Sequence, residues 1–243
     1  MADRFYCPEP AQNGCYVIEG EEARHLLRVL RLGPGDRVEI FDGEGRITPV
    51  EIKEGSRDRA VLEAVGDTRE EPAASRPIIL ATAIPKGDRF DWLIEKTTEL
   101  GVTTLIPLTT ERSVVDPRAS KLDRMRKRII EAAKQCGRSR LMELAPPSTW
   151  PALLASPFVR LACVSHPGGC AFPDWPSIEP GGPLLMAVGP EGGFTDQEIE
   201  LSTEKGWPTV SLGSTILRVE TAGLVAATLA MAHAGLAGKR SSS

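Results

Sequence analysis

The sequence predicts an α/β protein whose mainly parallel sheet carries helices on both faces, preceded by a small β-barrel-like domain. After residue 77, short apolar runs alternate with helical segments, which is typical of a parallel sheet covered by helices. Before residue 66, short β-type runs separated by turns dominate. Residues 67–77 are rich in Glu, Ala, Pro and Ser, as linkers often are. We therefore place the two domains at residues 1–70 and 78–243, with residues 71–77 as the linker.

The N-terminal domain is predicted from three β-type runs, at residues 38–41, 48–52 and 60–65. The turn Asp42-Gly43-Glu44-Gly45 separates the first two runs and has the residue types of a β-hairpin turn. One helical insert is predicted at residues 21–32, with leucines alternating against Arg28 and Arg31. These arginines either are simply solvated or contact a ligand.

The C-terminal domain is predicted from five strands and four helices. The strands are expected at residues 78–84, 103–108, 159–164, 184–188 and 209–212, and the helices at 88–100, 121–135, 195–205 and 220–237. Ligands of such sheets bind beyond the carboxyl ends of the strands. The loops that follow the predicted strands are therefore the first places to look for a site.

One of these loops is the run Gly189-Pro190-Glu191-Gly192-Gly193, which follows the apolar run 184–188. The three glycines permit positive φ and close backbone approach, while Pro190 restricts φ. Thr195 and Glu198 then predict a capped helix start. The loop either lays its backbone against a flat ligand or is a tight structural turn. No Lys-Ser/Thr pair follows the glycines and no G-x-G-x-x-G follows a strand, so a nucleotide phosphate is not expected.

The second informative loop lies in residues 212–222, between a short strand and an Ala-rich helix that is apolar on nearly all sides. Such a helix is expected to be buried, either against the sheet or against another subunit. Arg218 and Glu220 are charged residues bracketed by apolar ones at this position. Because an unpartnered buried charge is costly, they are expected to pair with each other or with a ligand.

Charge is distributed unevenly along the chain. The net charge is −4, yet residues 112–140 contain ten Lys or Arg against three acids, a local charge of +7. A helical apolar stripe is predicted within this segment, formed by Leu122, Met125, Ile129, Ala133 and Cys136. The basic residues on the other faces form either a phosphate-contacting strip or an ordinary solvated face.

Metal, disulfide and membrane functions are not expected. The five cysteines form no C-x-x-C pair, and the three histidines are scattered along the chain. No apolar run has membrane-spanning length, and the N-terminus lacks the layout of a signal peptide. We expect a cytoplasmic protein with reduced thiols, no metal and no membrane partner.

The two loops, together with residues 86–89 (KGDR), 95–102 (EKTTELGV) and 135–138 (QCGR), resemble the RsmE family of the SPOUT methyltransferases over nearly the whole chain. The resemblance implies a C-terminal SPOUT α/β domain with a deep trefoil knot and an N-terminal PUA-like RNA-binding β-barrel. It implies an S-adenosylmethionine-dependent enzyme that methylates N3 of a uridine in 16S rRNA of the small ribosomal subunit. It also implies a homodimer.

Site residues follow from placing the motifs on this sequence. The catalytic candidates are Arg218, Glu220 and Glu191. The candidates for cofactor binding are Leu185, Val188, Gly189, Pro190, Glu191, Gly192, Gly193, Leu212, Gly213, Ile216, Leu217 and Arg218. The candidates for RNA binding are Arg4, Arg28, Arg31, Lys86, Arg89, Arg124, Lys127 and Arg138.

The predicted chemistry is positioning plus charge stabilisation. Arg218 would stabilise negative charge on the uracil oxygens, and Glu220 would orient Arg218 or serve as the base, with Glu191 as the other possible base. Because N3 is hidden in a base pair, the target would be single-stranded or flipped out. Two alternatives stay open: a non-catalytic RNA-binding protein of ribosome assembly, and a SPOUT enzyme that methylates a ribose hydroxyl or a guanine.

Overall fold

The chain folds into two compact units. The computed structural model describes residues 3–115, 119–157, 161–171 and 182–233. The first unit comprises Met1–Ala73 and Ile130–Leu141, and the second comprises Ala74–Ile129 and Met142–Ser243. The first unit therefore takes up a segment from far along the chain. The assignment of residues 71–77 as the linker stays a prediction.

The first unit is built on a curved sheet that contains six strands within the described residues. They are β1 (Arg4–Tyr6), β2 (Cys15–Glu19), β3 (Arg37–Phe41), β4 (Arg46–Ser56), β5 (Arg59–Ala64) and β6 (Arg69–Glu70). The order is β1-β3-β4-β5-β2, and β6 pairs with β4. Only β1 and β3 run parallel among these pairs. Since β1 and β2 end the path, the predicted barrel-like domain is a half-barrel.

Alternation along the strands builds the core of this half-barrel. Ile40 of β3, Ile52 of β4 and Leu62 of β5 are fully or nearly fully buried, and they pack with Phe5 and Leu26. The predicted hairpin turn is confirmed. Asp42 at its start accepts hydrogen bonds from the backbone N–H groups of Glu44 (2.8 Å) and Arg46 (3.0 Å).

The helical insert ends earlier than residues 21–32 predict. Helix α1 covers Gly20–Arg24 and continues as a π-helical turn over His25–Val29. Arg31 has φ 58°, in the left-handed region that a bulky side chain disfavours and that no α-helix can contain. Leu26 in this turn is completely buried, whereas Arg28 and Arg31 are exposed.

The segment Ile130–Leu141 is held in the first unit by charged contacts. Lys134 Nζ lies 2.7 Å from Glu22 Oε1 and 5.3 Å from the centre of the Phe5 ring. The backbone N–H of Ser139, a completely buried residue, donates to Glu71 Oε2 at 2.7 Å. Arg4 pairs with Glu39 and donates to the carbonyl of Gly137. One of these partners, Glu71, is the first residue of the predicted linker.

The second unit contains a sheet of seven strands within the described ranges. They are β7 (Ile78–Ala83), β8 (Thr104–Thr109), β9 (Glu143–Leu144), β10 (Ser148–Thr149), β11 (Leu161–Cys170), β12 (Leu184–Val188) and β13 (Thr209–Val210). The order is β10-β8-β7-β12-β11-β13, with β9 on β8, and the paired strands are parallel. The predicted parallel sheet is confirmed, and β9 and β10 are additional strands. Residues 159–160 of the predicted third strand lie outside the described residues.

Helices cover both faces of this sheet. They are α2 (Arg89–Leu100), α4 (Trp150–Leu154), α5 (Asp196–Glu204) and α6 (Val219–His233). A further helix, α3 (Ala119–Cys136), ends within the segment Ile130–Leu141 of the first unit. Helices α2 and α6 pack on one face, where a Cβ on Gly223 would lie 3.0 Å from Leu93. Helices α4 and α5 pack on the other, around Trp150, whose ring lies 4.6 Å from Phe194 and 5.9 Å from Trp207. Residues 234–237 of the predicted last helix lie outside the described residues.

The predicted apolar stripe of α3 is largely confirmed. Met125, Ile129 and Ala133 are buried, but Cys136 is exposed, and Ala132 is buried in addition. Arg118 lies outside the described residues, as does the side chain of Lys121. The helix is therefore amphipathic up to its last turn, where the chain leaves it through Gly137 (φ 82°).

All five cysteines are free thiols in the structure. Burial raises the pKa of Cys163 to about 12, so this thiol stays protonated and is not a nucleophile. Among the described residues, no group of His, Cys, Asp and Glu could hold a metal ion. No described helix is both long and apolar enough to cross a membrane.

Candidate functional site

The second unit contains a cavity of about 380 Å³ at the carboxyl ends of β11, β12 and β13. Its wall is formed by three loops and by the start of α6. The lining residues are Arg112, Ser165, His166, Pro167, Val188, Gly189, Pro190, Glu191, Gly192, Gly193, Phe194, Asp196, Ser211, Leu212, Gly213, Thr215, Ile216, Leu217, Val219 and Ala222. This is the place where parallel sheets bind ligands, and both sequence-predicted loops lie in it.

The glycine loop, residues 189–193, uses its three glycines differently. Only Gly193 has positive φ (68°), and its N–H donates to the carbonyl of Pro190 at 2.8 Å. Gly189 leaves room for the Phe194 ring, which a Cβ would approach to 3.0 Å. A Cβ on Gly192 would lie 3.2 Å from Arg112. Positive φ thus explains the need for glycine at position 193. At positions 189 and 192, glycine is needed because the side chains of Phe194 and Arg112 pack close to the backbone.

One side chain holds the glycine loop directly, and a second binds the residues next to it and to Arg112. Arg112, in the loop after β8, donates from Nη1 to the carbonyl of Gly192 at 2.7 Å and to that of Phe194 at 3.4 Å. The buried carboxylate of Glu198 accepts from the backbone N–H groups of Thr195 and Glu111, both at 2.9 Å. Thr195 and Glu198 form the predicted capping box of α5. Sequence reasoning missed Arg112 because its partners lie about 80 residues away.

A bulge in β11 forms the third wall of the cavity. Ser165 and Cys170 both pair with Val210 of β13, so residues 166–169 bulge out of the strand. The bulge brings the chain so close to β13 that a Cβ on Gly169 would lie 2.4 Å from the backbone nitrogen of Val210. Ser165 Oγ is buried without a hydrogen-bond partner in the described part of the chain. The run Ser165-His166-Pro167-Gly168-Gly169 after an apolar strand repeats the pattern of the glycine loop, and that signal could have identified it.

Most residues predicted to bind a cofactor line this cavity. Ten of the twelve do so, and the exceptions are Leu185 and Arg218. Leu185 is completely buried in the core beside Trp150. Arg218 lies between two lining residues, Leu217 and Val219.

The three catalytic candidates lie in different environments. Glu191 is exposed and lines the cavity. Arg218 is exposed, and its side chain makes no hydrogen bond or ion pair with the described residues. Glu220 is buried, with Oε1 3.7 Å from Arg89 Nε and with Oε2 lacking a hydrogen bond within the described ranges. The structure therefore pairs Glu220 with Arg89 and leaves Arg218 available.

The residues predicted to bind RNA also differ in whether their side chains have partners within the protein. Arg28, Arg31 and Lys86 are exposed and make no hydrogen bond or ion pair with the part of the chain that the structure describes. Arg124 pairs with Asp88 at 2.8 Å and also with Asp91. Arg4 and Arg89 pair with Glu39 and Glu220.

The last two candidates lie in or after α3. Lys127 is exposed on this helix, and Arg138 follows it. Burial of the Arg138 guanidinium lowers its pKa. RNA contact by any of these eight residues stays a prediction.

Comparison with known proteins shows that this protein is an RNA methyltransferase. A family model described as an RNA methyltransferase domain matches residues 72–231, and one described as an RNA methyltransferase PUA domain matches residues 18–65. The chain is 36% identical over 227 residues to ribosomal RNA small subunit methyltransferase E of Synechocystis, covering 90% of this chain and 73% of that protein. The chain belongs to this methyltransferase E (RsmE) family.

Solved structures agree with this assignment. The crystal structure of ribosomal RNA small subunit methyltransferase E from Neisseria gonorrhoeae, bound to S-adenosylmethionine, has a TM-score of 0.83 and 32% identity, covering 96% of this chain and 98% of that one. A Legionella pneumophila structure described as a methyltransferase with the bound cofactor SAM has a TM-score of 0.87 and 30% identity, covering 96% and 98%. The PUA-like half-barrel and the SPOUT α/β fold are thus confirmed, and the knot stays a prediction.

Proposed function

We propose that this protein is an S-adenosylmethionine-dependent methyltransferase that modifies N3 of a uridine in 16S rRNA of the small ribosomal subunit. The observation that carries the proposal is the cavity between the glycine loop and residues 211–217, in a chain of the RsmE family. The relatives' names specify methylation of small-subunit rRNA. The choice of uridine N3 rests on the family resemblance of the two loops.

The cavity suits S-adenosylmethionine in size and chemistry. Its volume of about 380 Å³ is in the range of small-molecule sites. Val188, Leu212 and Leu217 supply an apolar wall for an adenine ring, while the glycine loop allows close backbone approach. Ser165 Oγ, at the bulge of β11, has no hydrogen-bond partner among the described residues. Because a buried hydroxyl is normally hydrogen-bonded, this group is suited to bind the cofactor.

The protein's own groups would position the base and compensate charge. When bound, S-adenosylmethionine supplies a methyl group on a sulfonium, so the protein needs no nucleophile of its own. Loss of the N3 proton spreads negative charge onto the uracil oxygens, and the exposed guanidinium of Arg218 is suited to stabilise that charge. Glu191 on the cavity wall and Glu220 behind it are the two carboxylates that could receive the proton.

The first unit would hold the RNA. Its family model is described as a PUA domain of RNA methyltransferases, and Arg28 and Arg31, on and just after the helical insert, expose guanidinium groups that have no partner among the described residues. A cytoplasmic homodimer completes the proposal. The dimer is supported by α6, where the apolar residues Leu224, Val225 and Leu229 remain only half-buried in the single chain.

The decisive test is transfer of a tritiated methyl group to small ribosomal subunits that lack the modification, followed by mass spectrometry of the released nucleosides. We expect label in 3-methyluridine. Label in a ribose-methylated nucleoside or a methylguanosine would identify a different target atom. Binding of subunits without any label transfer would identify an RNA-binding protein without catalysis.

A further inference from the structure

Arg112 reaches the cavity wall from the loop after β8. Its Nη1 is committed to the glycine loop through the carbonyls of Gly192 and Phe194. Its Nε and Nη2 make no hydrogen bond with any described residue, although the side chain lines the cavity. Arg112 therefore keeps unused N–H donors beside the space that the cofactor would occupy.

The wall of the cavity carries both positive and negative side chains. Among the described lining residues, Arg112 is the one with a permanently positive side chain, and Glu191 and Asp196 are the carboxylates. An anionic group in this cavity would be attracted by Arg112 and repelled by the other two. S-adenosylmethionine carries a single anionic group, the carboxylate of its amino-acid end, alongside a positive ammonium and a positive sulfonium.

We propose that Arg112 binds the amino-acid carboxylate of the cofactor while its Nη1 holds the glycine loop. The inference rests on the proposed function. A planar guanidinium can serve both partners because its five N–H donors point in different directions, and a charge-assisted bond to a carboxylate is stronger than a neutral one. One side chain thus couples the shape of the glycine loop to the orientation of the bound cofactor.

The test compares two ligands that differ in the amino-acid end. S-adenosylhomocysteine keeps the carboxylate, whereas 5′-methylthioadenosine lacks the whole amino-acid part. Calorimetric titration of both ligands is carried out on the wild type, on Arg112→Gln, and on the control Arg126→Gln. Arg126 is an exposed arginine on α3 that pairs with Asp123, so its loss removes the same charge outside the cavity.

We expect Arg112→Gln to weaken S-adenosylhomocysteine binding by about tenfold to a hundredfold, the range for a lost hydrogen bond to a charged group. Binding of 5′-methylthioadenosine should fall much less, because it has no carboxylate to lose. The ratio of the two affinities isolates the carboxylate, since any damage to the glycine loop weakens both ligands together. Arg126→Gln should leave both affinities unchanged.

Three outcomes would overturn the inference. If Arg112→Gln weakens both ligands equally, Arg112 only supports the loop. If it weakens neither, Arg112 has no part in cofactor binding. A wild-type protein that binds neither ligand would overturn the proposed function itself, and the assignment of Arg112 with it; the first two results leave that function standing.

Discussion

Arg218 and Glu220 lie two residues apart, yet their side chains are in opposite environments. Helix α6 begins at Val219, so Arg218 precedes the helix while Glu220 lies in its first turn, and side chains two positions apart do not face each other. Glu220 therefore turns toward Arg89 of α2, while Arg218 is exposed beside the cavity. The geometry of the helix start explains why these two charges do not form the ion pair that their proximity in sequence allowed.

At this residue scale, we predict that Arg218→Ala lowers the single-turnover rate of methyl transfer by roughly a hundredfold or more. The guanidinium would stabilise charge that develops only in the transition state, so the affinity for S-adenosylhomocysteine should change little. Rate and calorimetric affinity are measured for Arg218→Ala and for the control Arg126→Ala. If the variant keeps its rate and loses only RNA affinity, Arg218 is a docking residue, and the catalytic role passes to Glu220 or Glu191.

At the scale of elements, the start of α5 joins the end of the glycine loop region to the loop that carries Arg112. Glu198 caps the helix through Thr195 and also accepts the N–H of Glu111, so one buried carboxylate joins two segments of the chain. The indole N–H of Trp150 donates to the Glu198 carbonyl at 3.0 Å. The capping box thus begins helix α5 and also connects it to neighbouring segments next to the cavity.

We predict that Glu198→Ala lowers the free energy of unfolding by about 2 kcal/mol or more, because it removes a cap and leaves the N–H of Glu111 without its partner. Urea denaturation measures this change. Affinity for S-adenosylhomocysteine should fall as well, since the glycine loop loses its support. The control is Glu204→Ala, because Glu204 is an exposed residue at the end of the same helix. Equal stability of the two variants would contradict this role for Glu198.

At the scale of the whole molecule, several basic side chains of the segment 112–140 already have partners within the chain. Arg124, Arg126, Lys134 and Arg140 pair with acids, and Arg112 supports the glycine loop. Three of these cations, Arg124, Lys134 and Arg140, pair with acids outside the segment, so part of the local charge of +7 is neutralised. Arg28 and Arg31, in the first unit, are exposed and have no partner in the described part of the chain, so they are better candidates for phosphate contact.

We predict that Arg28→Ala combined with Arg31→Ala weakens binding to small-subunit rRNA and flattens its salt dependence. Two lost phosphate contacts should reduce the logarithmic salt slope by roughly 1.4 to 2. The control is Arg37→Ala combined with Arg59→Ala, which removes the same charge from residues paired with Glu51 and Glu19. Equal slopes for the two double variants would show that net charge alone governs binding.

The oligomeric state is a second prediction at this scale. Helix α6 exposes part of Leu224, Val225 and Leu229 in the single chain, and a two-fold interface would cover them. We expect sedimentation at micromolar concentration to give a homodimer. Val225→Lys should shift the equilibrium toward monomer, because a charge would be buried at the interface. A wild-type monomer at that concentration would exclude the dimer.

The sequence by itself determined the local structure that has a short-range cause. Alternation of apolar runs with helical periodicity predicted the five main strands and four main helices of the second unit. The glycine loop and the loop at residues 212–217 could be recognised as site loops from the sequence, because each follows an apolar strand. The capping box of α5 was predictable since its two residues lie three positions apart.

Only the tertiary structure decided which distant residues meet. The bulge of β11 that brings Ser165 to the cavity depends on pairing with β13, and the Arg112 contact spans about 80 residues. The pairing of Glu220 with Arg89 requires α6 to pack on α2, and Lys134 reaches Glu22 across 112 residues. Periodicity describes which face of an element is apolar, but not which element will cover it. These contacts therefore follow from the packing of the chain and are invisible in any short window of its sequence.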